Sequence, residues 1–346
     1  MKAAVITGHG DLDVVQVIND LAIPEPGAGE VRIQMKAAAL NRLDLWVRLG
    51  WPGLKLNMPH ITCADGAGVV DKVGAGVTQF APGDRVCIDP TIVDPDDPAL
   101  MTGLENQARI HLLGETVPGV ASEYTVQPQR NLMKIPDHVS FNEAAAAGLV
   151  YVTAWHSLIT RGDLRPGETV MIVGAGGGVN SASIQIAKLA GAKVTVVGSN
   201  AEKCAKAREL GADVTVNRQE TPEWSKVLYK LTNKRGFDVV VDNVGADTFM
   251  DSVRSARIGG RILVVGGTSG PVVELDLRQI FFRHLSIIGS TMGPHQDFTR
   301  VMNLVFDGTL TPVIGAVLPL EKVREAQEML ANFEVFGKIV LEIEGG

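Results

Sequence analysis

Cysteine is scarce in this sequence: three residues among 346, at positions 63, 87 and 204. They stand too far apart for a disulfide framework or a clustered soft-metal motif, so an intracellular setting is the simpler expectation. No apolar run approaches the ~18 residues of a membrane-spanning helix. The charge balance, 32 basic residues against 39 acidic ones, creates no positive field for nucleic acid or anionic lipid. The N-terminus, Met1-Lys2-Ala3-Ala4-Val5-Ile6-Thr7-Gly8, lacks a signal-peptide pattern, with Asp11 and Asp13 following early. No Gly-x-Ser-x-Gly elbow and no Walker-type loop occurs, which leaves hydrolase and NTPase readings without a motif. What these absences leave is the expectation of a large soluble cytoplasmic protein, long enough for two domains.

The residues that are present fall into two textures. Residues 1–150 hold short strand candidates at Ala3–Thr7, Val14–Ile18, Glu30–Ala38, Gly66–Val73, Asp84–Ile88 and Ala121–Gln127. Gly, Pro, Asn or Asp bounds each of them, and the spacing predicts a β-barrel-like domain. Over 151–292 the rhythm changes. Runs rich in Val and Ile at Thr169–Gly174, Lys193–Gly198, Phe237–Val241, Arg261–Gly266 and Ser286–Ser290 alternate with helical stretches such as Ser181–Ala190 and Glu202–Leu210. Strands buried on both faces and joined by helices predict an α/β domain with a doubly wound parallel sheet. Residues 293–346 add a helix at Glu321–Ala331 and a closing strand at Lys338–Ile343, a return to the first domain. The parallel domain is thus expected as an insertion in a discontinuous barrel-like one, with the cleft between them as the default active site.

The strongest chemical signal is Val173-Gly174-Ala175-Gly176-Gly177-Gly178-Val179-Asn180, between a hydrophobic strand and a helix. Backbone without side chains can approach a pyrophosphate there, and the helix N-terminus supplies N–H groups and partial positive charge. The strict G-x-G-x-x-G register does not close, yet the strand–turn–helix context predicts dinucleotide binding through Gly176, Gly177, Gly178 and Val179. The next strand ends in Val197-Gly198-Ser199-Asn200, without the carboxylate that would hold the ribose 2′-hydroxyl of NAD(H). Ser199 can donate to a 2′-phosphate, and Lys203 and Arg218 can add positive charge. NADP(H) is therefore favoured over NAD(H).

At this point the residues resemble the medium-chain dehydrogenase/reductase superfamily over essentially the whole chain. The supporting segments are Ala39-Leu40-Asn41-Arg42-Leu43-Asp44, Ala64-Asp65-Gly66-Ala67-Gly68-Val69-Val70, Pro82-Gly83-Asp84-Arg85-Val86, Val152-Thr153-Ala154-Trp155, Glu209-Leu210-Gly211-Ala212-Asp213 and Phe336-Gly337-Lys338-Ile339-Val340-Leu341. The resemblance implies a GroES-like β-barrel catalytic domain, a Rossmann domain, and a homodimer or homotetramer. Its alcohol dehydrogenases use zinc. Their first catalytic-zinc cysteine falls on Asn41 here, their His-Glu pair on Ala64 and Asp65, and their third ligand near Leu149. Zinc needs three protein donors and an open position, so no catalytic zinc is expected. Where similar enzymes carry four close cysteines, Asp89–Glu115 has none. Asp89, Asp94, Asp96, Asp97 and His111 could hold a hard cation there, although a solvated loop is the expectation. Asn41-x-x-Asp44-x-x-x-Arg48-x-Gly50 matches the zinc-free quinone oxidoreductases. Ala64-Asp65-Gly66 and Gly289-Ser290-Thr291-Met292-Gly293 look like bacterial zinc-type alcohol dehydrogenases.

Hydride transfer to a simple carbonyl leaves charge on oxygen that a Lewis acid or preorganised donors must stabilise. A quinone or an α,β-unsaturated carbonyl spreads that charge, and hydrogen-bond donors then suffice. The expected function is metal-independent hydride transfer from NADPH to such acceptors. Asn41 is the first candidate near the substrate oxygen, and Asp44 the second. Thr153, Asn243, Gly266 and Ser290 are expected along the cofactor path, and Lys338 at a cofactor phosphate. His60, His138, His156, His284 and His295 show no metal spacing and are expected as surface or core residues. Two alternatives stay open: an alcohol dehydrogenase-type enzyme, and a non-catalytic NADPH-binding protein.

Overall fold

The computed structural model describes residues 1–94, 96–101 and 108–344. The chain divides into two units, one made of Met1–Leu149 with Gly293–Gly346, the other of Val150–Met292.

The second unit is built on a six-stranded sheet. Its strands lie side by side in the order Val214–Asn217, Lys193–Gly198, Thr169–Val173, Phe237–Asp242, Ala256–Val264 and Ser286–Gly289, each parallel to its neighbours. Val170, Ile172, Val194, Val196, Val239 and Val241 are fully buried, which is why the central strands carry no polar alternation. The helix Gly178–Leu189 follows the first strand and Ala201–Glu209 follows the second. Counted along the chain the strand order is 3-2-1-4-5-6, so the topological switch lies beside Thr169–Val173. Two features depart from the sequence reading. Val214–Asn217 was not expected as a strand, because an edge strand of four residues with an exposed Val214 carries little apolar signal. Ala256–Val264 starts five residues before Arg261, running through Gly259-Gly260, which resemble a turn in sequence; the register of its pairing shifts there.

The first unit is mostly antiparallel. Its main sheet runs Leu132–Lys134, Arg85–Ile88, Asp65–Val73, Glu30–Ala39, Lys338–Glu342 and Ile314–Pro319, with Tyr124–Pro128 also on Glu30–Ala39. Ile33, Met35, Val70, Val86, Ile88, Ile339 and Leu341 form its core. The helices Arg42–Leu49 and Phe141–Trp155 were not anticipated. The second has Ala at four consecutive positions and is buried on most sides, which erases the helical period that would announce it. The helix Arg42–Leu49 begins at a capping box, in which Asp44 Oδ2 accepts the Asn41 N–H at 2.7 Å. It ends at Gly50, whose φ of +76° and contact with the His9 ring exclude a side chain.

The pairing registers fix where the polar residues of this unit meet. Ala39 lies opposite Asp65 on one side and opposite Val340 on the other. Asn41 follows Ala39 by two residues, and Lys338 precedes Val340 by two. Asn41, Asp65 and Lys338 are therefore carried to one edge of the sheet by three adjacent strands.

Candidate active site

In the parallel unit, the carboxyl ends of the strands share one edge, and the residues singled out in sequence gather along it. Gly174 has a φ of +98°, and a Cβ there would lie 2.3 Å from Asn180 Nδ2. Gly177 caps the helix with no atom within 4 Å of where its Cβ would be. Gly178 and Val179 form the first turn, whose N–H groups point away from the helix as at every N-terminus. A Cβ on Gly176 would meet the Lys203 stem at 3.1 Å and its ammonium at 3.6 Å, so Lys203 lies folded over the turn. Asn200 accepts the Lys203 N–H at 2.8 Å and starts that helix, leaving Ser199 at the strand end. The Arg218 N–H bonds Gly198 O at 3.0 Å, which sets Arg218 beside Ser199.

Further along the same edge, Asp242 is fully buried and clamps the turn that carries Asn243. It accepts the N–H groups of Val244 and Gly245 at 2.9 Å each, and the hydroxyls of Thr248 and Ser252. The Asn243 amide donates to Asn180 Oδ1. Its own Oδ1 is buried with no partner, as is Ser290 Oγ at the end of the last strand. Gly266 lies against Asn243 O, and Thr153 Oγ1 contacts Met292 Sδ at 3.7 Å. A glycine-lined cradle at a helix N-terminus, a folded-over lysine and two orphaned buried oxygens fit a dinucleotide. A bound nicotinamide cofactor would be held there by the turn, Asn243 and Ser290.

The antiparallel unit holds a denser cluster. Lys338 and Asp65 are 4% and 0% exposed, and their charges meet at 2.9 Å. The Lys338 ammonium also donates to Asn41 Oδ1 at 2.5 Å, and Asn41 Nδ2 donates to the same Asp65 oxygen at 2.9 Å. Asp65 Oδ1 accepts the Leu149 N–H at 2.6 Å, an approach that Gly148 permits, since a Cβ there would lie 2.4 Å from that oxygen. Asp44 sits behind Asn41, and its second oxygen accepts the Cys63 N–H at 2.8 Å. Burial pushes the Asp44 carboxyl up to about 6, with nearby Asp65 adding to the effect. Its two backbone hydrogen bonds and Lys338 oppose that rise.

Of the positions on which the resemblance puts zinc ligands, Asn41 and Asp65 meet the Lys338 ammonium, and the Leu149 N–H bonds Asp65. Ala64 offers no donor. Burial and then Asp44 push the adjacent Cys63 thiol well above its ordinary range, which disfavours a thiolate. No group of three or more His, Cys, Asp or Glu side chains suited to a metal exists among the described residues. This donor set does not fit a catalytic zinc. Nor do the acidic side chains of 89–115 form a metal-binding group among the described residues; residues 95 and 102–107 lie outside them. Asp94 and Asp97 accept backbone N–H groups of their own loop, and Asp89 turns to His295.

Lys338 was expected at a cofactor phosphate; its ammonium is instead directed at Asn41 and Asp65. Sequence reasoning missed Asp65 and Asp242 as organisers of these clusters. The signal for the first was a lysine opening the otherwise apolar run Ile339-Val340-Leu341, because a charge carried into a core needs a partner. His295, expected as an ordinary histidine, contacts a buried carboxylate.

Residues 27–137 match the family model of the alcohol dehydrogenase GroES-like domain, and residues 178–307 that of the zinc-binding dehydrogenases. A zinc-type alcohol dehydrogenase-like protein of Schizosaccharomyces pombe is 33% identical, with 91% of each chain covered. An acryloyl-coenzyme A reductase of Metallosphaera sedula is 32% identical over 99% of both chains. The human quinone oxidoreductase is 28% identical over 99% of this chain and 97% of its own. Among solved structures, one described as an NAD-dependent alcohol dehydrogenase superposes with a TM-score of 0.95 at 43% identity, covering 99% of this chain and 100% of its own. A 2-octenoyl-CoA carboxylase reductase bound to NADP and 2-octenoyl-CoA superposes with a TM-score of 0.88 at 27% identity, covering 96% and 83%.

Proposed function

The chain belongs to the medium-chain dehydrogenase/reductase superfamily of NAD(P)-dependent oxidoreductases, and from that premise we propose that it reduces conjugated acceptors, quinones or α,β-unsaturated carbonyls, without a catalytic metal. One observation carries this reading: the buried Lys338 ammonium pairs with Asn41 and Asp65, the positions on which the resemblance puts zinc ligands. The bound cofactor supplies the hydride. Among the described contacts the ammonium uses two of its three hydrogens and the Asn41 amide one of its two. The remaining N–H groups are the donors that an acceptor oxygen would find. They cannot match a Lewis acid on a simple aldehyde, but they suffice where charge spreads into an enolate or a hydroquinone anion. Asp44 is a positioning residue, fastening the Asn41 backbone and the Cys63 N–H.

NADPH is the proposed cofactor, with Ser199, Lys203 and Arg218 receiving its 2′-phosphate. The protein is proposed to be cytoplasmic; no helix among the described residues is long and apolar enough to cross a membrane. A homodimer or homotetramer is supported by the open edge of Ser286–Gly289, with Ile287, Leu277, Phe281 and Phe282 exposed in the same unit. The deciding assay follows NADPH and NADH oxidation with a quinone, a simple enone and an aldehyde. Turnover of the conjugated acceptors with NADPH preferred is expected. Turnover of the aldehyde alone would establish the alcohol dehydrogenase reading instead, and cofactor binding without any turnover a non-catalytic role.

A further inference from the structure

The search for chemistry outside the Lys338 cluster leads to one imidazole. His295 Nδ1 lies 2.8 Å from Asp89 Oδ2, an aspartate 1% exposed, while the histidine side chain itself is 44% exposed. Asp89 is held rigidly. Its other oxygen accepts the Thr91 N–H at 3.0 Å, its N–H bonds Asn131 O at 2.7 Å, and its carbonyl accepts from the Asn131 amide at 3.1 Å. The imidazole stacks on buried Phe298 and its Nε2 lies 3.4 Å from Thr299 Oγ1. A buried aspartate on Nδ1 fixes the ring's tautomer and orientation, leaving Nε2 as the end turned away from it. Asp297, two residues along the helix, turns to Arg300 at 3.8 Å.

This pair lies at the same end of the sheet as the proposed reduction site. Ala67 lies opposite Cys87; Asp65 precedes Ala67 by two residues and Asp89 follows Cys87 by two, so both aspartates fall at the same end of this antiparallel pair. Burial pushes the Cys87 thiol up, and Asp89 and Asp65 both add to that rise. The edge of one sheet therefore carries, strand by strand, Asp89 with its histidine, then Asp65, Asn41 and Lys338. Adjacent strands are ~4.8 Å apart, so Asp89 and its histidine lie at the same end of this sheet as the Lys338 cluster, one strand from Asp65.

We propose that His295 is the proton donor to the α-carbon when an α,β-unsaturated carbonyl is reduced, with Asp89 as its positioning residue; this rests on the reading of the chain as a reductase of conjugated acceptors. Hydride addition forms a C–H bond at the β-carbon, and the displaced π pair becomes an enolate. The Nε2–H bond of the imidazolium then breaks, its proton bonds to the α-carbon, and the bonding pair stays on Nε2. The neutral ring keeps its Nδ1–H on Asp89 and regains a proton from solvent through its exposed edge.

The test compares the wild type with His295→Gln and Asp89→Asn on an enone bearing an α-methyl group, and on a quinone as control. A quinone is protonated on oxygen, which solvent does without help. With the enone, His295→Gln is expected to lower kcat about 10²-fold or more with KM little changed. The ratio of α-face products should collapse toward equality. On the quinone it should lose less than about threefold, and Asp89→Asn should fall between. An unchanged α-face ratio, or equal losses on both acceptors, overturns the proposal. A wild type that reduces the quinone but protonates the enone without facial preference also overturns it. A wild type that reduces neither acceptor contradicts the parent reading, and the donor role falls with it.

Discussion

The two units build their candidate sites in opposite ways. In the parallel unit the site is made by what is missing: side chains absent at Gly174 and Gly177, and hydrogen-bond partners absent at Asn243 Oδ1 and Ser290 Oγ. Such a site is shaped for a ligand that brings its own charge. In the antiparallel unit, Lys338, Asp65 and Asn41 hold one another in place, and Asp44 holds Asn41 and Cys63 from behind. A self-paired cluster keeps its geometry before substrate arrives, which is what electrostatic stabilisation requires. The contrast is between a cradle and a fixed set of charges.

Breaking the pairing in the antiparallel unit should have the largest effect. Lys338→Met leaves Asp65 charged and fully buried, so a loss of about 3–5 kcal/mol is expected in urea unfolding. Adding Asp65→Asn to that variant should recover part of the loss. Recovery of nothing would mean that the two charges are not coupled.

Asp44 gives the same unit a pH signature. Its carboxyl titrates near 6 in the folded chain against an ordinary 3.8, so between those values the folded state holds a proton that the unfolded state has lost. Its contribution is most favourable below about pH 4 and is lost as pH rises through 6, a change on the order of 3 kcal/mol. The stability difference between wild type and Asp44→Asn should shift by that amount between pH 4 and pH 7. A flat difference would contradict the burial argument.

Gly148→Ala perturbs the cluster without changing a charge. The added methyl would press on Asp65 Oδ1, and a cost of about 1–3 kcal/mol is expected, with reduced turnover on conjugated acceptors. In the parallel unit the expected effects are smaller and confined to the ligand. Lys203→Ala should weaken NADPH about tenfold, or ~1.4 kcal/mol, while NADH binding stays within about threefold. Equal weakening of both would show that Lys203 serves the turn rather than a 2′-phosphate.

This contrast also explains what could be read from the sequence. The parallel sheet was legible because continuous runs such as Val170–Val173 and Val194–Val197 sit between helices and glycine turns, all within short range. The first-strand turn and Ser199 were visible for the same reason. Lys338, Asp65 and Asn41 are joined by strand pairing across 297 and 273 residues of chain, and no local pattern encodes such a meeting. His295 and Asp89 are separated by 206 residues, so the imidazole looked ordinary. The Phe141–Trp155 helix escaped because burial on most sides removes its period, and Val214–Asn217 because an exposed edge needs few apolar residues.

The most direct single measurement is the zinc content of protein purified without chelator, taken together with NADPH-dependent reduction of an enone before and after EDTA treatment. On the proposal that the Lys338 cluster works without a metal, the expected result is zinc far below one atom per chain and a rate unchanged by EDTA. One tightly held zinc per chain, with activity lost on its removal and restored on its return, would contradict the assignment of Lys338, Asp65 and Asn41.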